Sequence, residues 1–243
     1  MNNTYDSLTA NKLKIIAAFF MLLDHFVSVF LPHHALMSLI FRMLGRTAAP
    51  VFCFFIAQGY HYTSNRKKYL IRLLVLALVS HLPYVLAFGL PVHASSVVWP
   101  LALGLIALMT AKSEKIHLIL KLLIIGALCV MAYTSNWYFI AILWILGFGL
   151  FHGNIKKQLA SFSLVALIHI AWQLRRFGLF HEVYPQWFQL GLFLTLPLLL
   201  LYNGQLGKKS AFMSWFFYVF YPGHLVLLYL LKIFTPLAEF LGH

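Results

Sequence analysis

Asp24 and His25 stand side by side within KLKIIAAFFMLLDHFVSVFL, residues 12–31, a stretch otherwise apolar enough to cross a bilayer. A charged side chain at bilayer depth costs about 2.5 to 3.5 kcal/mol on insertion scales, so the pair requires partners or a water-filled cavity. An imidazole in such a cavity suits general-base work, taking the proton of an attacking hydroxyl or amine. Neighbours on a helix point about 100° apart, so Asp24 and His25 must meet different elements. Hydrogen bonds that merely tie helices together are the structural alternative for both residues. His25 lies about 16 Å along the helix from Lys14, about halfway across the hydrocarbon.

A second cluster is GRTAAPVFCFFIAQGYHYTSNRKKYLIRL, residues 45–73. Gly45, Ala48, Ala49 and Pro50 permit close backbone approach and a break in helix geometry. Arg46 stands where a helix begins, a costly position unless it meets an anion. Arg66, Lys67, Lys68 and Arg72, with Tyr69 among them, put four cations at the cytoplasmic end of two consecutive helices. They read as a positive-inside anchor, or as partners for a phosphate-bearing cytoplasmic ligand. Near the C-terminus, FFYVFYPGHLVLLYLLK sets Tyr221, Pro222 and His224 in an apolar helix. Pro222 frees a backbone carbonyl there, and a histidine at such a place lines a cavity or packs. His61 and His81 read as satisfied structural residues, and His33, His34 and His93 fall in outer loops. Cys53 and Cys129 sit in apolar runs as small hydrophobes. There is no phosphate loop, no dinucleotide glycine pattern and no Cys/His spacing for a metal, so no metal is expected.

The elements that must hold these groups follow from composition. Hydrophobic residues make up 62% of 243 positions and charged residues 9%, which describes an all-α polytopic integral membrane bundle. Apolar runs place helices at about 13–31, 47–63, 69–89, 97–111, 117–133, 137–151, 158–174, 187–202 and 211–232. A shorter run, 36–44, reads as re-entrant or interfacial. With no long hydrophilic block, residues 1–243 form a single transmembrane domain, and the leader MNNTYDSLTAN lacks a basic signal region, so the first helix is expected to stay.

The net charge of +13 sits in short clusters beside the helices, which points to membrane orientation and not to nucleic acid. Placing the N-terminus in the cytoplasm puts Lys12 and Lys14, then NRKK, KSEK, GNIKK and GQLGKK on the inner side. Only QLRRFGLFHEVYP, with Arg175 and Arg176, breaks the pattern. About nine transmembrane helices, N-inside and C-outside, is the consistent count. Trp99, Trp137 and Trp187 suit interfacial belts on the outer side.

Three blocks, LKIIAAFFMLLDHF (13–26), GRTAAPVFCFFIAQGYHYTSNRKKYLIRL (45–73) and FFYVFYPGHL (216–225), together resemble the TraX family, in that family's order and over nearly the whole chain. Known members acetylate the N-terminus of pilin in conjugative plasmids. The family in turn looks like the membrane acyltransferases that O-acetylate surface sugars, in which a basic residue and a histidine separated by ten intervening positions mark the first helix. Lys14 and His25 have that spacing.

The resemblance implies a multi-pass protein of the bacterial inner membrane that uses acetyl-CoA and an acceptor protein or glycan. His25 would be the catalytic histidine, as base or acyl relay. Asp24 would orient the site, and Arg46 would stabilise an oxyanion or a phosphate. Lys14, Arg66, Lys67, Lys68, Tyr69 and Arg72 are the expected acyl-CoA contacts. Tyr221 and His224, with Arg175, Arg176 and His181 of the longest outward loop, are the expected acceptor contacts. A proton-coupled transporter using Asp24 and His25, or a non-catalytic assembly factor for surface filaments, are the alternatives.

Overall fold

Apolar runs become helices wherever caps and breaks allow. In a computed structural model describing residues 8–32, 35–177, 186–208 and 210–235, they are α1 (Ala10–Phe30), α2 (Leu36–Gly45), α3 (Ala48–Tyr62), α4 (Arg66–Phe88) and α5 (Val98–Ala111). There follow α6 (Leu118–Met131), α7 (Ile140–Leu150), α8 (Ile155–Phe177), a 3-10 helix (Trp187–Leu194), α9 (Thr195–Leu200) and α10 (Ala211–Phe234). Among the described residues, pairing of extended chain is limited to isolated bridges at Leu8–Tyr202 and Ser95–Ser135. Side-chain oxygens of Thr9, Asn65 and Ser210 accept from Lys12, Lys68 and Met213 backbone N–H groups and so open α1, α4 and α10. Gly89, at φ +61°, closes α4 in the left-handed region.

Helical segments occupy all nine positions that the apolar runs predict. Among the described residues, four stretches are long and apolar enough to cross a membrane: Ala10–Phe30, Leu36–Tyr62, Arg66–Phe88 and Trp215–Phe234. The second joins α2 to α3 through Arg46 and Thr47, so the run set apart as re-entrant or interfacial is the first part of a 27-residue apolar stretch. The run at 187–202 is not one helix. Pro197 has no N–H to bond the carbonyl four residues back, and α9 starts only at Thr195, after the tighter 3-10 turn.

The outward surface is apolar at helical spacing. On α4, Ile71, Val75, Leu78, Val79, Leu82 and Leu86 are all exposed, and α6 buries only Leu128. Water would oppose such faces and lipid tails accept them, so the bundle is built for a membrane. Inside, α3 packs on α7 and α5, α4 packs on α10 and α5, and α1 lies against α2, α3 and α10. Small residues bring the helices together: Gly104 sits against Ile145 and Gly149 against Leu108, joining α5 to α7. Trp144, Phe54, Phe148 and Phe162 fill the centre and are fully buried.

The basic segments share one end. Leu8 N–H donates to the Leu201 carbonyl at 2.9 Å, which ties the start of α1 to the α9–α10 loop. Tyr202 of that loop meets Phe54 and Phe55 of α3. His61, at the end of α3, donates through Nε2 to the Gly149 carbonyl at 2.9 Å and stacks on His152, the satisfied arrangement expected of it. The opposite end is closed by Ser95 and Asn136, whose N–H groups donate to the Thr134 and Ser95 carbonyls at 3.2 and 2.9 Å.

Gly191 of the 3-10 helix presses on the Met43 backbone carbonyl of α2, so an added Cβ collides with main chain and not with a yielding side chain. Gly191→Ala is expected to destabilise the protein by about 1–3 kcal/mol. The check is a thermal midpoint in detergent several degrees below that of the parent, with Gly126→Ala, which has open space around it, as the unchanged control.

Candidate active site

Asp24 and His25 of α1 are both buried, each only 7% exposed, and each meets a different element. Asp24 turns to the α2–α3 junction, where Arg46 Nη2 donates to its Oδ2 at 2.6 Å and Arg42 Nε lies 3.9 Å from Oδ1. Gly45 makes room for this, since a Cβ there would strike the Asp24 side chain. Aromatic faces cover the guanidinium groups. Arg42 lies 4.1 Å over Phe188, and Arg46 lies 4.9 Å over Trp137 and 5.3 Å over Phe188.

His25 turns to α10. Its Nδ1 lies 2.8 Å from His224 Nε2, with the rings nearly parallel at 17°. His224 Nδ1 donates to the Phe220 carbonyl one turn earlier, at 2.8 Å. Phe88 of α4 meets the His25 ring edge-on at 5.1 Å. Helix α10 runs unbroken through Pro222 and carries His224 to this depth.

Two cavities flank these groups. The larger, of about 700 Å³, is lined by Lys14, Tyr69, Arg72, Phe217 and Tyr221 among others, and most of its wall is apolar. Lys14 Nζ sits 4.9 Å over Phe55 and 5.7 Å over Phe217. The smaller, of about 30 Å³, is lined by Asp24, His25, Gly45, Arg46, Asn136 and Trp137. Met21, Phe52 and Val97 line both, so a single layer of side chains forms the wall between the cationic mouth and the histidine. Trp137 and Tyr138 both hold a left-handed backbone, φ 70° and 47°. Two such non-glycine residues in succession are costly, and the tie between Asn136 and Ser95 holds them there.

Of the expected acyl-CoA contacts, Lys14, Tyr69 and Arg72 come together at the large cavity, and Tyr221 lies on the same wall. Arg66 does not join them. Its Nε donates to the Tyr60 carbonyl at 3.2 Å and its guanidinium covers the Tyr60 ring at 4.2 Å. Lys67 and Lys68 are exposed and are not part of the large cavity's lining. Arg175 and Arg176 are exposed at the end of α8, while His181 lies outside the described residues. His224, expected to meet the acceptor, instead bonds His25. Trp137, expected in an interfacial belt, is buried beside Trp144 and His169.

Sequence reading missed Arg42, Trp137 and Phe188. Arg42 had a signal, since it lies four residues before Arg46 and so shares its helix face. Nothing in the local sequence marked Phe188 or Trp137. Among the described residues no group of three His, Cys, Asp or Glu side chains could hold a metal ion.

A protein of Dichelobacter nodosus described as "Probable fimbrial assembly protein FimC, serogroup H1" is 28% identical over 237 residues, covering 93% of this chain and 96% of the relative. No solved structure matches the chain. The family model described as TraX protein matches residues 9–232, a span holding the Asp24–Arg46 pair, the His25–His224 pair and both cavities. On that match, the chain belongs to the TraX family.

Proposed function

We propose that the chain is a membrane-embedded acetyltransferase that moves an acetyl group from cytoplasmic acetyl-CoA to an amine or hydroxyl at the membrane, with His25 as the base. The observation that carries this reading is the adjacency of the two cavities, which a single layer of side chains separates. A mostly apolar space of about 700 Å³ has Lys14 and Arg72 in its lining and shares the wall formed by Met21, Phe52 and Val97 with the cavity that holds His25. Acetyl-CoA has the matching character: anionic phosphates at one end, a thin pantetheine arm, and a small thioester at the tip. Lys14 and Arg72 suit the phosphates as charge-assisted partners, and the aromatic wall suits the arm.

The chemistry follows from these positions. His25 takes the proton of the acceptor N–H or O–H as the acceptor's lone pair forms a bond to the thioester carbonyl carbon. The C–S bond then breaks with its electron pair on sulfur, and the proton held by His25 passes to the departing thiolate. Arg46 is already bonded to Asp24, so its part is to hold that carboxylate and carry positive charge at the small cavity, where an oxyanion forms.

The shared end of Lys12, the 65–68 cluster, Lys112, Lys156 and Lys208 supports a cytoplasmic N-terminus and nine crossings. The acceptor then approaches from the outer side. The fimbrial assembly name of the Dichelobacter nodosus relative favours a filament subunit over a sugar. The same name also favours the second reading, a non-catalytic assembly factor, and thioester consumption separates the two.

The test is thiol release from acetyl-CoA by purified protein in lipid nanodiscs, followed with a thiol-reactive chromophore. His25→Ala is expected to lower it by about 100-fold or more while the variant still folds and inserts. A folded parent that neither binds acetyl-CoA nor releases thiol would leave the assembly factor as the reading. Lys14→Ala and Arg72→Ala are each expected to raise KM for acetyl-CoA by about tenfold, from a lost charged contact of about 1.5 kcal/mol or more. Because those contacts are the same in ground and transition states, kcat should change little.

A further inference from the structure

We propose that His224 is the positioning residue that fixes which nitrogen of His25 is the base, leaving His25 Nε2 unprotonated and free to take the acceptor's proton. The proposal rests on the reading of His25 as a base and adds the group that makes it one. It follows from donors and acceptors alone. The Phe220 carbonyl can only accept, so the hydrogen of that 2.8 Å bond belongs to His224 Nδ1. A neutral imidazole has one N–H, so His224 Nε2 presents a lone pair. The 2.8 Å contact from that nitrogen to His25 Nδ1 then requires the hydrogen to sit on His25. In neutral His25 this leaves the lone pair on Nε2, in a residue that lines the small cavity.

Packing holds both rings in this relation. His224 is stacked between backbone and aromatic surface, 5.0 Å from Phe220 at 21° and 5.4 Å from Tyr221 at 70°. His25 is held edge-on by Phe88. Both histidines are buried, at 7% and 5% exposure, so water does not compete for the bond between them. In soluble hydrolases a carboxylate commonly orients the histidine in this way. Asp24 is next in sequence but is committed to Arg46 across 2.6 Å on another face of α1, and the orienting role falls to a neutral imidazole whose far side is locked to its own helix. When His25 takes the proton, its Nδ1–H still donates to His224 Nε2, so the bond persists through the reaction without a second buried anion.

The test compares His224→Gln and His224→Phe in the full-length protein in nanodiscs. Gln keeps an oxygen that can accept from His25 Nδ1–H, whereas Phe keeps the stacked ring without an acceptor. His224→Phe is expected to lower kcat for thiol release about 100-fold with KM for acetyl-CoA within threefold of the parent, and His224→Gln to recover at least tenfold of that loss. A second readout does not depend on activity. In ¹⁵N-histidine-labelled protein, with the His25 signals assigned by their loss in His25→Gln, the parent should show a protonated Nδ1 and an unprotonated Nε2, and His224→Phe should show the Nε2–H form.

A parent with His25 protonated on Nε2, or a His224→Phe protein with full activity, overturns the proposal. Equal activity of the two variants overturns it as well. A parent that shows the expected tautomer yet releases no thiol overturns the acetyltransferase reading while His224's hold on His25 stands.

Discussion

The ion pair between Asp24 and Arg46 is the interaction on which the arrangement depends. It joins α1 to the α2–α3 junction across 2.6 Å, and it lets a carboxylate exist inside an apolar bundle. Removing one partner of such a pair leaves an uncompensated buried charge, at a cost of about 3–5 kcal/mol. Its geometry requires Gly45 at the point of contact and aromatic faces over the guanidinium groups. It also fixes the rotation of α1, because a helix that directs Asp24 at Arg46 directs the next residue about 100° away. That direction leads to α10, and His25 arrives at His224 because Asp24 is already placed.

The same rotation aligns α1 with the two cavities. Lys14 and Met21 precede His25 by about three turns and one turn of helix. Lys14 and Met21 line the large space, and Met21 and His25 line the small one, so one helix borders both. The cost of polar groups in lipid explains why so few charged groups are present, and why Asp24, His25 and His224 each meet a specific partner. The strained backbone at Trp137 and Tyr138 belongs to this economy, since it brings an aromatic face from the α6–α7 loop over Arg46.

Much of this was legible in the sequence. Asp24 and His25 had to have partners on different elements, and they do. The periodicity of apolar runs located the helices. Tyr69 and Arg72, three residues apart on α4, both line the cavity, while Lys67 falls on another face and Lys68, though in phase with Arg72, sits one turn nearer the exposed helix end. Helical phase separates Lys67 from Tyr69 and Arg72 but does not separate Lys68 from Arg72. What the sequence could not show were pairings set by packing over long separations. His224 lies 199 residues from His25, and no local pattern distinguishes a histidine that bonds another histidine from one that meets a substrate. Arg66 carried the same ambiguity, and the nearby Tyr60 carbonyl and ring took it. The break of the 187–202 run is marked by Pro197, whereas the packing of the 3-10 stretch before it on α2 is not visible in the local sequence.

The central claim is that acetyl-CoA lies in the large cavity with its acyl end at His25. Photo-crosslinking tests it most directly, using a CoA thioester with a small photoreactive acyl group, protein in nanodiscs, and peptide mapping of the adducts. The account predicts adducts on the α1 segment around residues 21–25 or the α3 segment around residues 48–52, suppressed by excess acetyl-CoA. Adducts confined to exposed loops, or labelling that acetyl-CoA does not suppress, would contradict it.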